Sequence, residues 1–113
     1  MCGMGGIMST NMIDTEIEYA RRLGILNMFR GEDSTGMFDV VPKEKAGEQI
    51  NYWKTTDHPV DFIKNTFNPL RKTRWAKHTP RLIGIHCRAA TQGKLTDQNA
   101  HPFAFKTLIG MHN

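Results

Sequence analysis

The sequence predicts a domain of mixed helices and strands packed in layers. Two observations lead to this fold class. Two stretches repeat apolar residues at the three- and four-residue spacing of helices, and the other apolar runs are short enough to be strands. The 113 residues contain no internal repeat and no linker rich in Pro, Gly or Ser. We therefore expect one folding unit, with elements in the order strand, helix, strands, helix, strands.

The first two elements are predicted from apolar spacing and from glycine. Residues 1–8 form a short apolar segment with several glycines, which suits a buried strand whose backbone another segment approaches closely. Apolar spacing then predicts a helix over residues 14–29, beginning with a capping box of Thr15 and Glu18. The polar, glycine-bearing cluster at residues 31–36 ends this helix.

The later segments follow the same reasoning. Their lengths are those of ordinary globular elements, so one layered domain is the expected product. The remaining predicted elements are strands at 37–41, 49–54, 82–86 and 106–111, a helix at 58–70, a basic loop at 71–81 and a polar loop at 91–99.

Composition limits the environment and the partners. No apolar run approaches the roughly 20 residues that span a bilayer, and the N-terminus lacks the charged-then-apolar pattern of a signal peptide. Two cysteines, Cys2 and Cys87, do not make a disulfide framework. The net charge of +4 is basic but not polybasic. We expect a soluble, cytoplasmic chain.

Cys2 is the first residue that suggests chemistry. If Met1 is removed, Cys2 carries both a thiol and a free α-amine, and free α-amines in general titrate at about 7.7–8.0. Such an amine can take the proton of its own thiol, as in known N-terminal nucleophiles. By position alone, a cysteine at residue 2 is more often an accident of sequence, so other residues have to support this role.

Three other segments provide that support. Arg88 directly follows an apolar strand, where a guanidinium can hold a carboxylate through two parallel hydrogen bonds, although a surface salt bridge is the plain alternative. Residues 30–36 place charge and glycine at a helix-to-strand corner. Asn113 follows the last apolar strand, and its amide can donate to an oxyanion or simply end the strand.

Five segments together resemble a known family. They are Met-Cys-Gly at 1–3, Arg-Gly-Glu-Asp-Ser-Thr-Gly at 30–36, His-Cys-Arg-Ala-Ala-Thr-Gln-Gly at 86–93, Asn-Ala-His-Pro-Phe at 99–103 and Gly-Met-His-Asn at 110–113. In this order they resemble the glutaminase domain of class II glutamine amidotransferases, whose nucleophile is an N-terminal cysteine. The resemblance implies an α+β fold, the αββα sandwich of N-terminal-nucleophile hydrolases, of which residues 1–113 form the incomplete front half.

The resemblance implies chemical roles for four residues. Cys2 attacks the side-chain amide of glutamine, and its own α-amine carries the proton. Asn113 donates to the oxyanion, together with the backbone N–H of a following glycine. Arg88 pairs with the α-carboxylate of glutamine, and Thr91 helps to hold it.

Other motif residues are given supporting roles by the same resemblance. Arg30 lies close to the nucleophile, and His101 and His86 shape the loops. Cys87 matches no functional position, and we expect it to pack in the core as a small apolar residue.

The resemblance also implies partners. Glutamine is converted through a cysteinyl thioester to glutamate and ammonia, without a cofactor. A chain or domain that completes the fold is expected, because the sequence stops before the family's glycine and before a later aspartate that binds the substrate amine. Ammonia then passes to a synthase domain. Its acceptor stays open, since Ala89 and Gln92 stand where the amino-sugar members usually carry Trp and His.

Two other functions remain open from the residues. One is an N-terminal-cysteine hydrolase of other amides, against which the Arg-x-Ala-Thr context of Arg88 argues. The other is a small basic nucleic-acid-binding module with aromatic rings between basic residues. Its candidate residues are Lys64, Arg71, Lys72, Arg74, Lys77 and Arg81, with Phe67 and Trp75 for stacking.

Metal and phosphate-loop sites are not predicted. The five histidines do not approach zinc-ligand spacing with the two cysteines. The glycines at residues 3–6 are not followed by the Lys-Ser/Thr of a phosphate loop. We expect neither a metal nor another cofactor.

Overall fold

The computed structural model describes residues 1–113 as a main sheet, a small hairpin and four helices. The chain also makes 3-10 turns at Met28–Arg30 and Asp97–Asn99 and a π turn at Ile63–Phe67. The elements are β1 (Gly3–Met8), α1 (Asp14–Asn27), β2 (Ser34–Pro42), β3 (Glu48–Thr55), α2 (Pro59–Phe62), α3 (Asn68–Lys72), α4 (Arg74–Lys77), β4 (Leu82–Arg88), β5 (Phe103–Phe105) and β6 (Leu108–Gly110).

The main sheet is antiparallel throughout, with the strand order β1-β4-β2-β3. Gly3 pairs with Cys87, and Ser34 pairs with Arg88. The start of β1, the start of β2 and the end of β4 therefore lie together at one end of the sheet. Three of the five motifs reach the same place by strand register alone.

The helices cover one face of the sheet. Because side chains alternate between faces along a strand, Met37, Ile83 and Ile85 all point to the covered face, where they are almost completely buried. The helical residues buried against them are Ile17 and Ala20 of α1, with Phe62, Ile63, Phe67 and Trp75 of the later helical segment. The longest helix, α1, has 14 residues, and no helix has the length and apolar character needed to cross a membrane.

The opposite face of the sheet is apolar but largely uncovered. Met8 is 81% exposed, and Ile50 and Tyr52 are close to half exposed. A contiguous apolar surface of this kind is typical of an interaction site. The surface consists of two cross-strand rows, Met8, Leu82, Val40 and Ile50 in one and Gly6, Gly84, Phe38 and Tyr52 in the next. We refer to these two rows as the open face.

The predicted first strand and helix are present, with two corrections. β1 is an edge strand with Met4 and Met8 exposed, so the prediction of a buried strand is wrong. The predicted capping box is wrong as well, because Thr15 and Glu18 lie inside α1. The helix instead begins after Ile13, whose N–H donates to the Glu16 carboxylate at 2.8 Å.

Glu18 joins α1 to the later helical segment. Its carboxylate accepts hydrogen bonds from Arg21 at 2.6 Å and from Arg71 at 2.7 Å. These bonds hold the pKa of Glu18 well below its usual range, Arg21 having the larger effect. Arg71 also forms a two-pronged pair with Asp14 of α1.

The basic segment at 71–81 is not the predicted loop. Helical structure predicted at 58–70 begins at Pro59 as expected, but α3 and α4 carry it on to Lys77. Trp75 is the physical reason: its ring is 3% exposed and packs edge-on against Phe67 at a centroid distance of 4.9 Å. Burial of this large aromatic side chain favours a helix that directs Trp75 toward the sheet.

The other predicted strands are confirmed in position but not always in length. The segments at 37–41, 49–54 and 82–86 lie within β2, β3 and β4. The segment predicted at 106–111 is the three-residue β6, paired with β5 in a hairpin. The structure combines helices and antiparallel strands, and the αββα sandwich stays a prediction.

We predict that Gly36→Ala lowers the free energy of unfolding by about 3 kcal/mol, at the upper end for overpacked sites. A Cβ at Gly36 would lie 1.6 Å from the carbonyl oxygen of His101, and backbone cannot yield as a flexible side chain can. Urea unfolding measures this difference. The control is Gly110→Ala, where no atom lies within 4 Å of the new Cβ. Equal losses in the two variants would contradict the packing argument.

Candidate functional site

Cys2 lies at the sheet end where three motifs converge. It directly precedes β1 and is half-buried. Its backbone N–H donates to the side-chain oxygen Oδ1 of Asn113 at 2.8 Å, across 111 positions of sequence. Its Sγ lies 3.9 Å from the carbonyl oxygen of Ala89, directly after β4. The structure thus brings together the two residues predicted to act on the amide, Cys2 and Asn113.

The orientation of Asn113 has a chemical consequence. Its oxygen Oδ1 is occupied by the Cys2 N–H. An Asn side chain carries two N–H donors on its other terminal atom, so these stay free to donate to a further group beside Cys2. Amide donors next to a nucleophile are the arrangement that stabilises an oxyanion.

Cys87 is a very different thiol. It is completely buried on the covered face of β4, where Sγ contacts the carbonyl oxygen of Gly24 at 3.4 Å. Burial raises the pKa of Cys87 to about 12, with a smaller contribution from Cys2. The prediction that Cys87 packs in the core is confirmed.

Arg88 is a cation without an acidic partner. Its Nη2 donates to the carbonyl oxygen of Gln92 at 2.5 Å, and its Nη1 is buried without a hydrogen bond. None of the seven ion pairs of the structure includes it. The plain alternative of a surface salt bridge is therefore wrong, and carboxylate binding by this guanidinium stays a prediction.

The corner at 30–36 holds the end of β4 in place. A Cβ at Gly31 would lie 2.3 Å from the carbonyl carbon of Arg88, so only glycine allows this approach. Asp33 braces the loop from both sides: its N–H donates to the Arg88 carbonyl oxygen at 2.9 Å, and its Oδ2 accepts from the Ala90 N–H at 2.6 Å. This motif therefore positions the loop that carries Arg88 and faces Cys2.

Thr91 and Arg30 lie at the margins of this arrangement. Thr91 is exposed, and its N–H donates to the carbonyl oxygen of Ala89 at 3.0 Å, which closes the loop after Arg88. Arg30 is exposed too, and its guanidinium contacts the Met1 sulfur. A cavity of about 370 Å³ lined by Met1, Phe29 and Arg30 adjoins the start of the chain.

Three histidines from separate motifs pack together in one cluster, with His101 tilted against His86 and edge-on to His112. The His101 ring lies 4.0 Å from the His86 ring and 4.6 Å from the His112 ring, between centroids. The Nε2 of His86 also lies 3.0 Å from the carbonyl oxygen of His112, the residue before Asn113. The cluster therefore ties the segment that carries Asn113 to β4.

Two rings of the cluster, His86 and His101, are disfavoured as charged groups by their surroundings. Burial lowers the pKa of His101 to about 4, and the neighbouring rings and the Arg88 and Lys54 charges act in the same direction. Burial likewise lowers the pKa of His86, although its hydrogen bond with His112 opposes this. A proton on either of these two buried rings would be poorly solvated.

Sequence reasoning missed two contributors to the site. These are the hydrogen bond from the Ala90 N–H to Asp33 and the edge-on ring contact between His112 and His101. The first joins residues that are far apart in the chain, and the second joins two separate motifs. Asp33 and His112 both lie inside the five motifs, and this position was the one indication in the sequence that they contribute to the site. No group of three or more His, Cys, Asp or Glu side chains has a geometry that could hold a metal ion.

The two aromatic rings expected to stack on nucleic-acid bases are buried, and three of the candidate arginines are paired. Phe67 is fully buried and Trp75 nearly so, and neither ring is free to stack on a base. Arg71 is bound by Asp14 and Glu18. Arg74 pairs with Asp39, and Arg81 pairs with Glu48.

A curated relative matches the full length of this sequence. Over 115 aligned residues the chain is 33% identical to glutamine–fructose-6-phosphate aminotransferase [isomerizing] from Buchnera aphidicola subsp. Baizongia pistaciae (strain Bp). The alignment covers 100% of the chain, which spans 16% of the length of that protein. The chain is thus similar to one part of an aminotransferase named for glutamine and fructose 6-phosphate.

Other comparisons add little. No protein-family profile matches the chain. A solved structure described as a complex of the β-clamp processivity factor and the little finger domain of PolIV aligns over 96% of this chain and 100% of that one. Its TM-score is 0.46 at 13% identity, and at these values the likeness carries no argument about fold or function.

We predict that iodoacetamide alkylates Cys2 and not Cys87 in the folded chain at about pH 8. With a pKa of about 12, Cys87 has roughly one thiolate in ten thousand at that pH, and its sulfur is also buried. Peptide mass spectrometry identifies the labelled residue. The folded Cys2→Ala variant should stay unlabelled, and urea should expose both thiols of the original chain. Labelled Cys87 in folded protein would contradict the structure.

We predict that stability falls as the pH drops from 6.5 toward about 4. The unfolded His101 takes up a proton near pH 6.5, whereas the folded pKa is about 4, so protonation favours the unfolded chain across this window. Urea unfolding on both sides of the window measures the effect. His101→Phe retains an aromatic ring without a titratable group and should reduce the pH dependence to the part that His86 contributes. An unchanged slope in this variant would remove His101 as its source.

Proposed function

We propose that the chain forms the nucleophile-bearing part of a glutaminase site of the glutamine amidotransferase type. The observation that carries this proposal is the contact of Cys2 with Asn113 and Ala89 beside an arginine that has no acidic partner. The similarity to an aminotransferase named for glutamine supports the same reaction class. The products are glutamate and ammonia, and the ammonia acceptor is not assigned.

The first step is activation of the Cys2 thiol. We propose that Met1 is removed, so that the nitrogen now bonded to Met1 becomes a free α-amine. In the structure this nitrogen donates to Asn113 Oδ1, and the same donation would hold the amine next to its own thiol. The amine takes the thiol proton, and the resulting thiolate attacks the side-chain carbonyl carbon of glutamine.

The second step moves charge and then releases ammonia. Attack forms a carbon–sulfur bond and places negative charge on the amide oxygen, which the free N–H donors of Asn113 stabilise. The carbon–nitrogen bond breaks as the protonated α-amine returns its proton to the leaving nitrogen. Water then attacks the thioester, which gives glutamate and restores the thiol.

Selection of an amino acid is the role proposed for Arg88. Arg88 precedes Ala89, whose carbonyl oxygen lies near Cys2 Sγ, and a guanidinium without an acidic partner is suited to the α-carboxylate of glutamine. Thr91 follows three positions later on the loop that Asp33 braces, and we propose that it helps to hold the carboxylate. Hydrolysis of amides without a carboxylate is disfavoured, because such substrates would leave this charge unpaired.

The open face is the proposed contact with the rest of the domain. Its two rows of apolar side chains lie on the side of the sheet away from the helices. An apolar sheet face in a soluble protein is normally packed against a second layer. We propose that a further chain or domain supplies this layer, that it completes the sandwich and substrate site, and that residues 1–113 alone turn over glutamine poorly.

We predict that a diazoketone analogue of glutamine labels Cys2 and that glutamine protects it. Labelling needs a bound carboxylate and a reactive thiol but no complete turnover, so it can be measured on residues 1–113. Mass spectrometry should find the label on Cys2 in chains that have lost Met1, and none in Cys2→Ala. Arg88→Lys should need roughly tenfold more glutamine for protection, because an ammonium cannot form the two parallel hydrogen bonds.

Cys87→Ala is the matched control, since it removes the other thiol and should leave both labelling and protection unchanged. Protection by glutamine that is equal in the original chain and Arg88→Lys would remove Arg88 from the site and favour a hydrolase of other amides. Labelling of chains that retain Met1 would contradict the role of the α-amine.

A further inference from the structure

We propose that His86 is a positioning residue of the candidate site. By donating a hydrogen bond to the backbone of His112, it keeps the side-chain amide of Asn113 beside Cys2. The proposal rests on the glutaminase function, in which Asn113 is the oxyanion donor. It adds to that function a residue that acts through Asn113 and not on the substrate.

Few bonds hold the segment that carries Asn113. Residues 111–113 follow β6 and form two hydrogen bonds with the rest of the chain. One joins the Cys2 nitrogen to Asn113 Oδ1 at 2.8 Å. The other joins His86 Nε2 to the carbonyl oxygen of His112 at 3.0 Å. In the proposed mechanism the Cys2 nitrogen gains and loses a proton, so its hydrogen bond changes in strength during the reaction. His86 is the anchor that takes no part in the chemistry.

His86 is well placed to act as a fixed donor. It is completely buried in β4, a strand that pairs with β1 on one side and with β2 on the other. Its partner on β2 is Gly36, and the backbone of His101 occupies the space that a side chain at Gly36 would need. The His101 ring thereby reaches the His86 ring, at 4.0 Å between centroids. A donor on a paired strand within a packed cluster is held more precisely than one on a loop.

The contact with His112 also fixes which nitrogen of His86 carries the proton. A carbonyl oxygen can only accept a hydrogen bond, so Nε2 is the donor. Nδ1 is buried without a hydrogen-bond partner, and a second proton there would have no acceptor. The ring is accordingly neutral and protonated at Nε2, and burial, which lowers the pKa of His86, acts in the same direction.

The ¹⁵N NMR spectrum of the His86 ring tests this assignment in the original chain, without a substitution. At about pH 7 its two nitrogen resonances should be those of a neutral ring protonated at Nε2. A ring protonated at Nδ1 alone would overturn the proposal, because Nε2 could not then donate to the carbonyl oxygen.

Hydrogen exchange of the Cys2 amide tests the positioning role, on chains that retain Met1 as in the structure. His86→Gln keeps an N–H donor at the end of the side chain, and His86→Met has a similar length without a donor. The Cys2 amide should exchange roughly fivefold faster in His86→Met than in His86→Gln, the loss expected for one ordinary hydrogen bond. The amides of β4 should be equally protected in both variants, which checks that both are folded.

Labelling of Cys2 separates the positioning role from the proposed chemistry. In chains without Met1, the diazoketone analogue should react roughly fivefold more slowly with His86→Met than with His86→Gln. The glutamine concentration that gives half-protection should be equal, because neither variant changes Arg88. The matched controls are His78→Gln and His78→Met, at the Pro42 end of β2 and away from Cys2. These two should not differ in exchange or in labelling.

Equal exchange of the Cys2 amide in His86→Met and His86→Gln would overturn the proposal. An equal difference within the His78 pair would do so too, since it would show a general effect of methionine. A difference confined to the His86 pair, with no labelling of any chain, would support the positioning of Asn113 and contradict the glutaminase function instead.

Discussion

Other segments of the chain approach the backbone at the end of β4 closely from several sides, and the candidate site depends on these contacts. Gly31 touches the backbone of Arg88 at a distance that no side chain would allow. Asp33 forms hydrogen bonds with the backbone of Arg88 and of Ala90. The Sγ of Cys2 lies 3.9 Å from the carbonyl oxygen of Ala89. The arginine of this segment can stay without an acidic partner because its position is set by the backbone.

The same constraint explains why motifs so far apart in sequence act together. The antiparallel register places Gly3 beside Cys87 and Ser34 beside Arg88, which fixes the first and second motifs against the third. The ring contacts of His101 and the close contact at Gly36 then attach the last two motifs. The strand register and the histidine cluster thus hold together motifs that are far apart in the sequence.

The two ends of the sheet have different electrostatic character. Near Cys2, burial lowers the pKa of His86 and His101, and Arg88 has no acidic partner. At the end with the β2–β3 turn, Arg74 is anchored through Asp39 while its terminal nitrogens stay unbound. Arg74 is therefore paired with a buried carboxylate, whereas Arg88 has no acidic partner.

The spacing of apolar residues alone predicted the positions of α1 and of the strands β2, β3 and β4, because this spacing indicates directly which face is buried. It failed for the segment after Leu70, where basic residues suggested a loop and the burial of Trp75 imposed helix. It also failed at the start of α1, where Glu16 and not Glu18 meets the free N–H. Such choices depend on tertiary packing or on single hydrogen bonds, neither of which a spacing pattern encodes.

By itself the sequence determined the order of the elements, the separation of a surface cysteine from a core cysteine, and which motif residues were candidates for chemistry. Residue types and spacing are enough for these, because they reflect local propensity and side-chain reactivity. Only the tertiary structure decided that Cys2 meets Asn113, that Arg88 has no acidic partner, and that Phe67 and Trp75 are buried. Each of these is a contact or an absence of contact between distant residues, and strand register and packing alone bring such residues together.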